Sequence, residues 1–384
     1  MNISFLNESQ SLLLYWIDAI IFFIFLSTVL YLFFFTIFPL FVKKRKYPIA
    51  EKENKLIIIY VWVGDIEMLK ASLESLFKQT YSREMYDIYV ISTEFTEEET
   101  ELLQQLPVKV ETMPHSNSEI EILNDLINRI EEQGLSYDAL MLLSSNDSLS
   151  EEGLVEINNA LYAGCYFVQT HYVIECKESS GKLIQAISTE INNSVFRKGH
   201  TLLNLSSALF NFGVVYDFKV LKKCLRGKES LGLEKELEKI LLENNYYIEY
   251  LDDVFTFNNE KKPAKTVFQK RMKLQKISFI SKMEAIKALP IALLKGNIDY
   301  SNKLFQWILP SRVMLLLATV VMASIVTYID LFLAIKWWIL FVTLIITFGI
   351  ALPSNLTTGN LLFRILTLPF VLPYERIKRI FSKK

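Results

Sequence analysis

From Ala19 to Val42 the chain carries no charged residue and is rich in Phe, Leu and Ile. At a rise of about 1.5 Å per residue this run spans roughly 36 Å as a helix, enough to cross a bilayer with some tilt. A cleavable leader fits poorly: the run is too long, follows a non-basic N-terminus and has no small-residue cleavage site. Lys43-Lys44-Arg45-Lys46 follows at once, so the positive-inside rule puts this end in the cytoplasm and the N-terminus outside. Two further apolar runs, Val313 to Ile329 and Trp337 to Pro353, flank a short connection bounded by Asp330 and Lys336 and suggest a helical hairpin. Arg312 precedes the hairpin, and Arg376, Lys378, Arg379, Lys383 and Lys384 follow it, so both ends should face the cytoplasm.

Three crossings with the N-terminus outside satisfy these signals and leave a long central region in the cytoplasm. The expected organisation is a spanning helix with its basic stop at 1–46 and a cytoplasmic domain at 47–275. Interfacial amphipathic helices follow at 276–310, the hairpin at 311–355 and a basic amphipathic tail at 356–384. Ser281 to Trp307 and Leu361 to Phe381 are the segments expected to lie on the membrane. Soluble helices packed on the main domain are the alternative for them. No charge constellation falls inside the three apolar runs, which argues against a transporter or channel.

The central region has the composition of a soluble α/β domain. Strands are expected at Leu56 to Val63, Tyr86 to Ile91, Val108 to Thr112 and Ala139 to Leu143, with helices at Ile66 to Gln79, Glu97 to Gln105 and Ser118 to Glu132. This alternation predicts a mostly parallel sheet with right-handed crossovers. Beyond it, strands are expected at Tyr166 to Val173, Ala208 to Tyr216, Tyr246 to Tyr250 and Val254 to Phe257, and helices at Lys182 to Arg197 and Leu233 to Glu243. A net charge of −1 gives no global field for nucleic acid. The 3 cysteines have no metal-ligand spacing and the 3 histidines are scattered.

The stretch Tyr137 to Leu149, YDALMLLSSNDSL, is the centre of interest. Its apolar run stops in Ser144, Ser145, Asn146 and Asp147, and Ser150-Glu151-Glu152 then carries the marks of a helix start. Open α/β sheets bind ligands where a buried strand ends in such a polar turn.

Taken together, these segments resemble the membrane enzymes of glycosyltransferase family 2, the group of the cellulose and hyaluronan synthases. The resemblance covers roughly Lys55 to Gln275. It is carried by SLFKQTY (Ser75 to Tyr81), by YDALMLLSSNDSL in place of a strand ending in DxDD, and by FNFGVVYD (Phe210 to Asp217). It is also carried by Gly232 to Asp253 in place of a TED-containing segment, and by Pro263 with Phe268-Gln269-Lys270-Arg271 near the QRxRW position. The resemblance implies a GT-A fold, a nucleotide-sugar donor, Mg²⁺ or Mn²⁺, and an inverting transfer to a lipid-linked or polysaccharide acceptor. Carried over position by position, it makes Glu234 the base and Asn146 and Asp147 the metal positions. Asp65, Thr93, Glu97, Gln269, Lys270 and Arg271 become the nucleotide-sugar contacts.

Several of these positions differ in chemistry from the family pattern. Ser144 and Asn146 offer only neutral oxygens where a divalent ion prefers carboxylates, so metal affinity should fall. Asp147 also suits a simple turn cap. Glu234 is one methylene longer than aspartate and lies among Glu236, Glu238, Lys235 and Lys239, a pattern equally typical of a solvated helix face. Lys270 and Arg271 could hold a diphosphate without metal, or lipid headgroups. Two functions therefore stand: a membrane glycosyltransferase with an altered donor site, or a catalytically inactive relative serving as a binding or assembly subunit of a polysaccharide-synthesis complex. Either would have membrane lipid as a partner. Other glycan-synthesis subunits or self-association would supply what three crossings lack for a polymer channel.

Overall fold

The computed structural model describes residues 8–62, 66–92, 95–113, 119–175, 180–225, 233–259 and 282–353. Helix α1 (Glu8–Ile37) ends in a 3-10 turn, Phe38–Phe41, with Pro39 in its first positions. Strands and helices then alternate: β1 (Leu56–Val61), α2 (Ile66–Phe77), β2 (Tyr86–Ser92), α3 (Glu97–Gln104), β3 (Lys109–Thr112), α4 (Glu119–Glu132) and β4 (Ala139–Ser144). Next come β5 (Asp147–Leu149), α5 (Gly153–Tyr162), β6 (Phe167–Ile174), α6 (Ser180–Ile191), a π-helical stretch Asn192–Lys198 and the single turn α7 (Gly199–Thr201). After these lie β7 (Val214–Asp217), α8 (Phe218–Leu225), α9 (Leu233–Glu243) and β8 (Ile248–Asn258). Helix α10 covers 282–294, followed by α11 (Ile298–Ile308), α12 (Arg312–Ile329) and α13 (Leu331–Ala351).

Two compact units result. The described parts of Met1–Lys43, Glu190–Val195 and Leu309–Lys384 form one, and those of Lys44–Thr189 and Phe196–Ile308 form the other.

The larger unit is built on an 8-stranded sheet in the order β3-β2-β1-β4-β7-β6-β8-β5. β1 pairs in parallel with β2 and β4, β2 with β3, and β6 with β8, while β7 and β5 run antiparallel to their neighbours. The central strands read as unbroken apolar runs because both faces are covered. Ile57 and Ile59 face one core layer, with α4, α8, α9, α10 and α11. Leu56, Ile58 and Tyr60 face the other, with α2, α3 and α5. This alternation is the period of two of a strand.

Several expectations in the second half of the sheet need correction. The strand expected over Ala208 to Tyr216 is only Val214–Asp217, because Gly213 takes φ 68° and breaks the extended run. A Cβ there would lie 2.5 Å from Thr170 Oγ1. The two short strands expected between Tyr246 and Phe257 are one strand, β8, bulged between Leu251 and Phe255. The helix expected over Lys182 to Arg197 changes to π geometry at Asn192. Helix α8 and strand β5 were not foreseen.

The stretch Ser281 to Trp307, expected on the membrane, has one face in the main core. Ala285 and Ala292 of α10 and Tyr300, Leu304 and Trp307 of α11 are buried there. Lys303, 1% exposed, sends its Nζ to Glu238 Oε1 (3.3 Å) and Ser207 O (3.2 Å), and Trp307 Nε1 donates to Glu238 Oε2 (3.2 Å). Burial drives the Lys303 ammonium below its usual pKa, and Glu238 opposes that shift only in part.

The smaller unit holds α1, α12 and α13, three helices long and apolar enough to cross a membrane. Within it Trp337 is fully buried and lies edge-on to Phe22 and Phe25 at 5.3 and 5.7 Å between ring centres. α13 begins six residues before the expected Trp337 start, since Asp330 caps it through the Phe332 and Leu333 amides. Lys336 therefore lies inside α13, and Asp18 lies inside α1. The two form an ion pair, and Trp337 Nε1 donates to Asp18 Oδ1 (2.8 Å). The expectation of charge-free spans is wrong at this point.

Candidate functional site

The order β3-β2-β1-β4 reverses direction at β1: the chain steps outward through β2 and β3, then returns to the other side of β1 as β4. Ligands of open α/β sheets bind beside such a switch point, at the carboxyl ends of its strands. Here those ends are Val61-Trp62 and Ser144-Ser145, with Val61 in register with Ser144 and the Ser145 amide donating to Val61 O (3.1 Å).

The polar turn is short and heavily bonded. β5 begins directly at Asp147, so Ser145 and Asn146 are the only residues between the two strands. Asp147 is 0% exposed. Its Oδ2 accepts from the Ser144 amide (2.8 Å), and its Oδ1 accepts from Tyr172 Oη (2.8 Å) and Asn258 Nδ2 (2.7 Å). The Ser145 carbonyl accepts from Ser72 Oγ (3.0 Å), and the Asn146 carbonyl from the Asn259 amide (3.0 Å). Burial, and after it the Asp147 carboxylate, push the Tyr60 hydroxyl well above its usual pKa, so it remains protonated beside the Asp147 carbonyl (3.4 Å).

These residues do not fit a divalent ion. Among the described residues the Asp147 carboxylate accepts from three neutral donors. Ser145 Oγ and Asn146 Oδ1 are buried without a hydrogen-bond partner, but both are neutral oxygens. Among the described residues no group of three His, Cys, Asp or Glu side chains could hold a metal. Asn146 and Asp147, expected at a metal, are here part of the hydrogen-bonded turn. Tyr172 and Asn258, which hold the carboxylate, carry no local signal in the sequence. They meet Asp147 only because β5, β6 and β8 share the sheet.

Glu97 is exposed at the first position of α3, beside Thr96. Thr96 and Glu99 form a capping box: Thr96 Oγ1 accepts from the Glu99 amide (3.2 Å), and Glu99 Oε2 accepts from the Thr96 amide (2.9 Å). With Glu97, Glu98 and Glu99 in its first turn, this helix start already carries the negative charge its dipole favours. The S/T-x-x-E signature was present in the sequence. Trp62 and Phe95, both half-buried, bring their rings to 6.2 Å at a tilt of 40° past the ends of β1 and β2. Asp65, Thr93, Gln269, Lys270 and Arg271 lie outside the described residues. Glu234 lies in α9, but its side chain is outside what is described.

A separate cleft of about 580 Å³ has walls that include Lys44, Arg45, Lys198, Glu249, Asp252 and Asp253, and no residue from 144 to 147 lines it. Three of its cations are paired across it: Lys44 to Asp252 (3.0 Å) and Asp253 (2.6 Å), Arg45 to Glu249 (2.8 Å), and Lys198 to Asp252 (2.8 Å). Burial alone would raise the Asp252 pKa, but hydrogen bonds from His171, Lys198 and Lys44 outweigh it and hold the carboxyl well below its usual range.

No protein-family model matches the sequence, and no curated protein matches it. Among solved structures, the chain is similar to the mannosyltransferase PcManGT from Pyrobaculum calidifontis in complex with GDP-Man and Mn²⁺. That likeness has 12% identity and a TM-score of 0.51 over 88% of this chain and 98% of the other. A weaker likeness, TM-score 0.38 at 14% identity, links 61% of this chain to 66% of S. aureus TarS 1-349 in complex with UDP-GlcNAc. The fold is of the glycosyltransferase type. It is the GT-A-like α/β arrangement expected from the sequence, accompanied by three helices able to span a membrane.

Proposed function

We propose that this protein is a membrane glycosyltransferase of the family 2 type. It transfers a sugar from a nucleotide-sugar donor to a lipid-linked or polysaccharide acceptor at the cytoplasmic face, with its N-terminus outside. The observation that carries this reading is the extent of the likeness, which takes in 98% of a mannosyltransferase bound to GDP-Man. The donor base stacks near Trp62 and Phe95, with Asp65, Thr93 and Glu97 bordering it. Gln269, Lys270 and Arg271 meet the diphosphate. Their two cations supply the charge that a metal would otherwise bring, since fixed cations stabilise a departing phosphate as a metal does. Glu234 is the base that takes the acceptor proton. The domain limits 47–275 for the catalytic region, and partnership with other glycan-synthesis subunits or with a second copy, belong to the same reading.

One observation favours a second reading. The carboxylate at the end of β4 is committed to Ser144, Tyr172 and Asn258, which suits a catalytically inactive subunit that keeps the fold for assembly. Calorimetry of the purified protein with GDP- and UDP-sugars, with and without Mn²⁺, separates the two. The first reading expects donor binding that does not depend on Mn²⁺. Glu234→Gln should then reduce turnover by about two to four orders of magnitude while leaving membrane levels unchanged. Full complementation of a glycan phenotype by Glu234→Gln would reject catalysis through this residue.

A further inference from the structure

The cleft beside the β8 bulge has chemistry that the Asp147 turn lacks. Its volume of about 580 Å³ falls in the range of about 300–1,000 Å³ usual for small-ligand sites. Two departures from regular backbone meet there, since Lys198 ends the π-helical stretch and Asp252 lies in the bulge. Both kinds of irregularity recur beside functional sites. Four cations and five carboxylates line the cleft, so the opposing charges nearly cancel. An anion would have to draw Lys44 and Lys198 from Asp252, and a metal ion would have to draw Asp252 from both. Either exchange leaves a shielded charge without its partner, which disfavours ionic ligands of both signs.

What the pairs leave over is hydrogen-bonding capacity in both directions. A carboxylate has about four lone-pair sites and an ammonium about three donors, more than these pairs consume. Arg45 is held by Glu249, by Asn204 and over the Tyr247 ring at 5.5 Å, so its guanidinium is ordered before any ligand arrives. Glu152 and Glu156, one turn apart at the start of α5, and Lys46 line the same cleft. None of these three forms an ion pair among the described residues. Tyr47, half-buried, and Ile49, 86% exposed, add apolar surface. Neighbouring hydroxyls on a ring match this lining: each donates and accepts at once, none carries charge, and the ring's C–H face suits Tyr47 and Ile49. We infer that the cleft binds a neutral saccharide, as a glycan site separate from the switch-point turn. The choice of a saccharide among hydroxyl-rich ligands rests on the proposed function, but the site needs no turnover and would serve an inactive subunit equally.

The test is calorimetric titration of the full-length protein in phosphatidylcholine nanodiscs with cellotetraose, mannotetraose and chitotetraose, no donor being added. At least one should bind. The double variant Glu152→Gln/Glu156→Gln, which keeps side-chain size and breaks no ion pair among the described residues, should weaken that binding about tenfold. Ile49→Ala should weaken it several-fold, and Lys78→Gln, exposed just beyond α2, should leave it unchanged. Binding by none of the three saccharides overturns the inference. Binding that the Glu152/Glu156 and Ile49 variants leave intact puts the saccharide elsewhere and overturns the site. Inorganic phosphate or phosphoethanolamine binding in place of a saccharide, and weakened by Lys46→Gln, overturns it in favour of an anion or a lipid headgroup. Saccharide binding of the expected pattern in a protein that takes no nucleotide sugar would reject the transfer reading and leave the cleft's role standing.

Discussion

Asp147 and Asp252 are two shielded carboxylates of the same sheet, and the fold satisfies them in opposite ways. Among the described residues Asp147 receives an amide, a phenol and a carboxamide, all neutral. Asp252, in the bulge of β8, receives Lys44, Lys198 and His171. Neutral donors fix the geometry of the Asp147 turn without themselves bringing charge. Cationic partners bind through charge and respond to salt and proton concentration. A carboxylate enclosed by neutral donors is also a poor metal ligand, because an ion would have to displace three good hydrogen bonds. The turn at Asp147 is held by hydrogen bonds, while the ion pairs gather at the β8 bulge and the segment after α1.

The largest effect that separates the two sites should come from Asp147→Asn. One of the three donors would then face an NH₂ group, a buried mismatch costing about 3 kcal/mol. Chemical denaturation should show it as a lower midpoint. Unchanged stability together with lost Mn²⁺ binding would instead return Asp147 to the role of a metal ligand. Asp252→Asn should cost less, about 2 kcal/mol, because its partners keep some access to water. Its effect should shrink near 1 M salt, where the Debye length is about 3 Å. Asp252 has a lowered pKa in the folded state. Its contribution is therefore complete above the unfolded value near 3.8 and falls away as the pH drops through the lower folded value. Acid titration of the wild type, compared with Asp252→Asn, should show the two curves converging below about pH 4. The smallest effect is expected at Ser145→Ala. Its hydroxyl is buried without a partner, so its loss should be neutral or stabilising by up to about 1 kcal/mol. A clear loss of stability would mean that this oxygen has a partner in solution.

β1 and β4 were legible because burial on both faces writes an unbroken apolar run, LIIIYV and ALMLLS, whereas β3, KVET, is short and uncovered and was placed by the alternation of strands and helices. The later strands were harder. β5 has three residues, too few for a period, and β7 is cut short by the backbone of Gly213 rather than by any change in polarity. At the site, the turn was visible but its use was not. Asp147 has the same letter whether it faces an ion or Tyr172 and Asn258, and those residues lie 25 and 111 positions away. Beside Glu97, expected as a nucleotide-sugar contact, Thr96 and Glu99 form the cap of α3. Asp18 escaped notice as an intramembrane charge because its partner Lys336 comes 318 residues later.

That separation bears on how the chain is made. In a membrane, α1 would enter during synthesis with the Asp18 carboxylate unmatched, and an unmatched charge in lipid is unfavourable. The ammonium that neutralises it arrives only with the last spanning helix, after the whole sheet has been translated. The ion pair can therefore form only once α13 has been made. A chain that stops before α13 leaves a naked charge in lipid, and only a full-length chain closes the three-helix unit around Trp337.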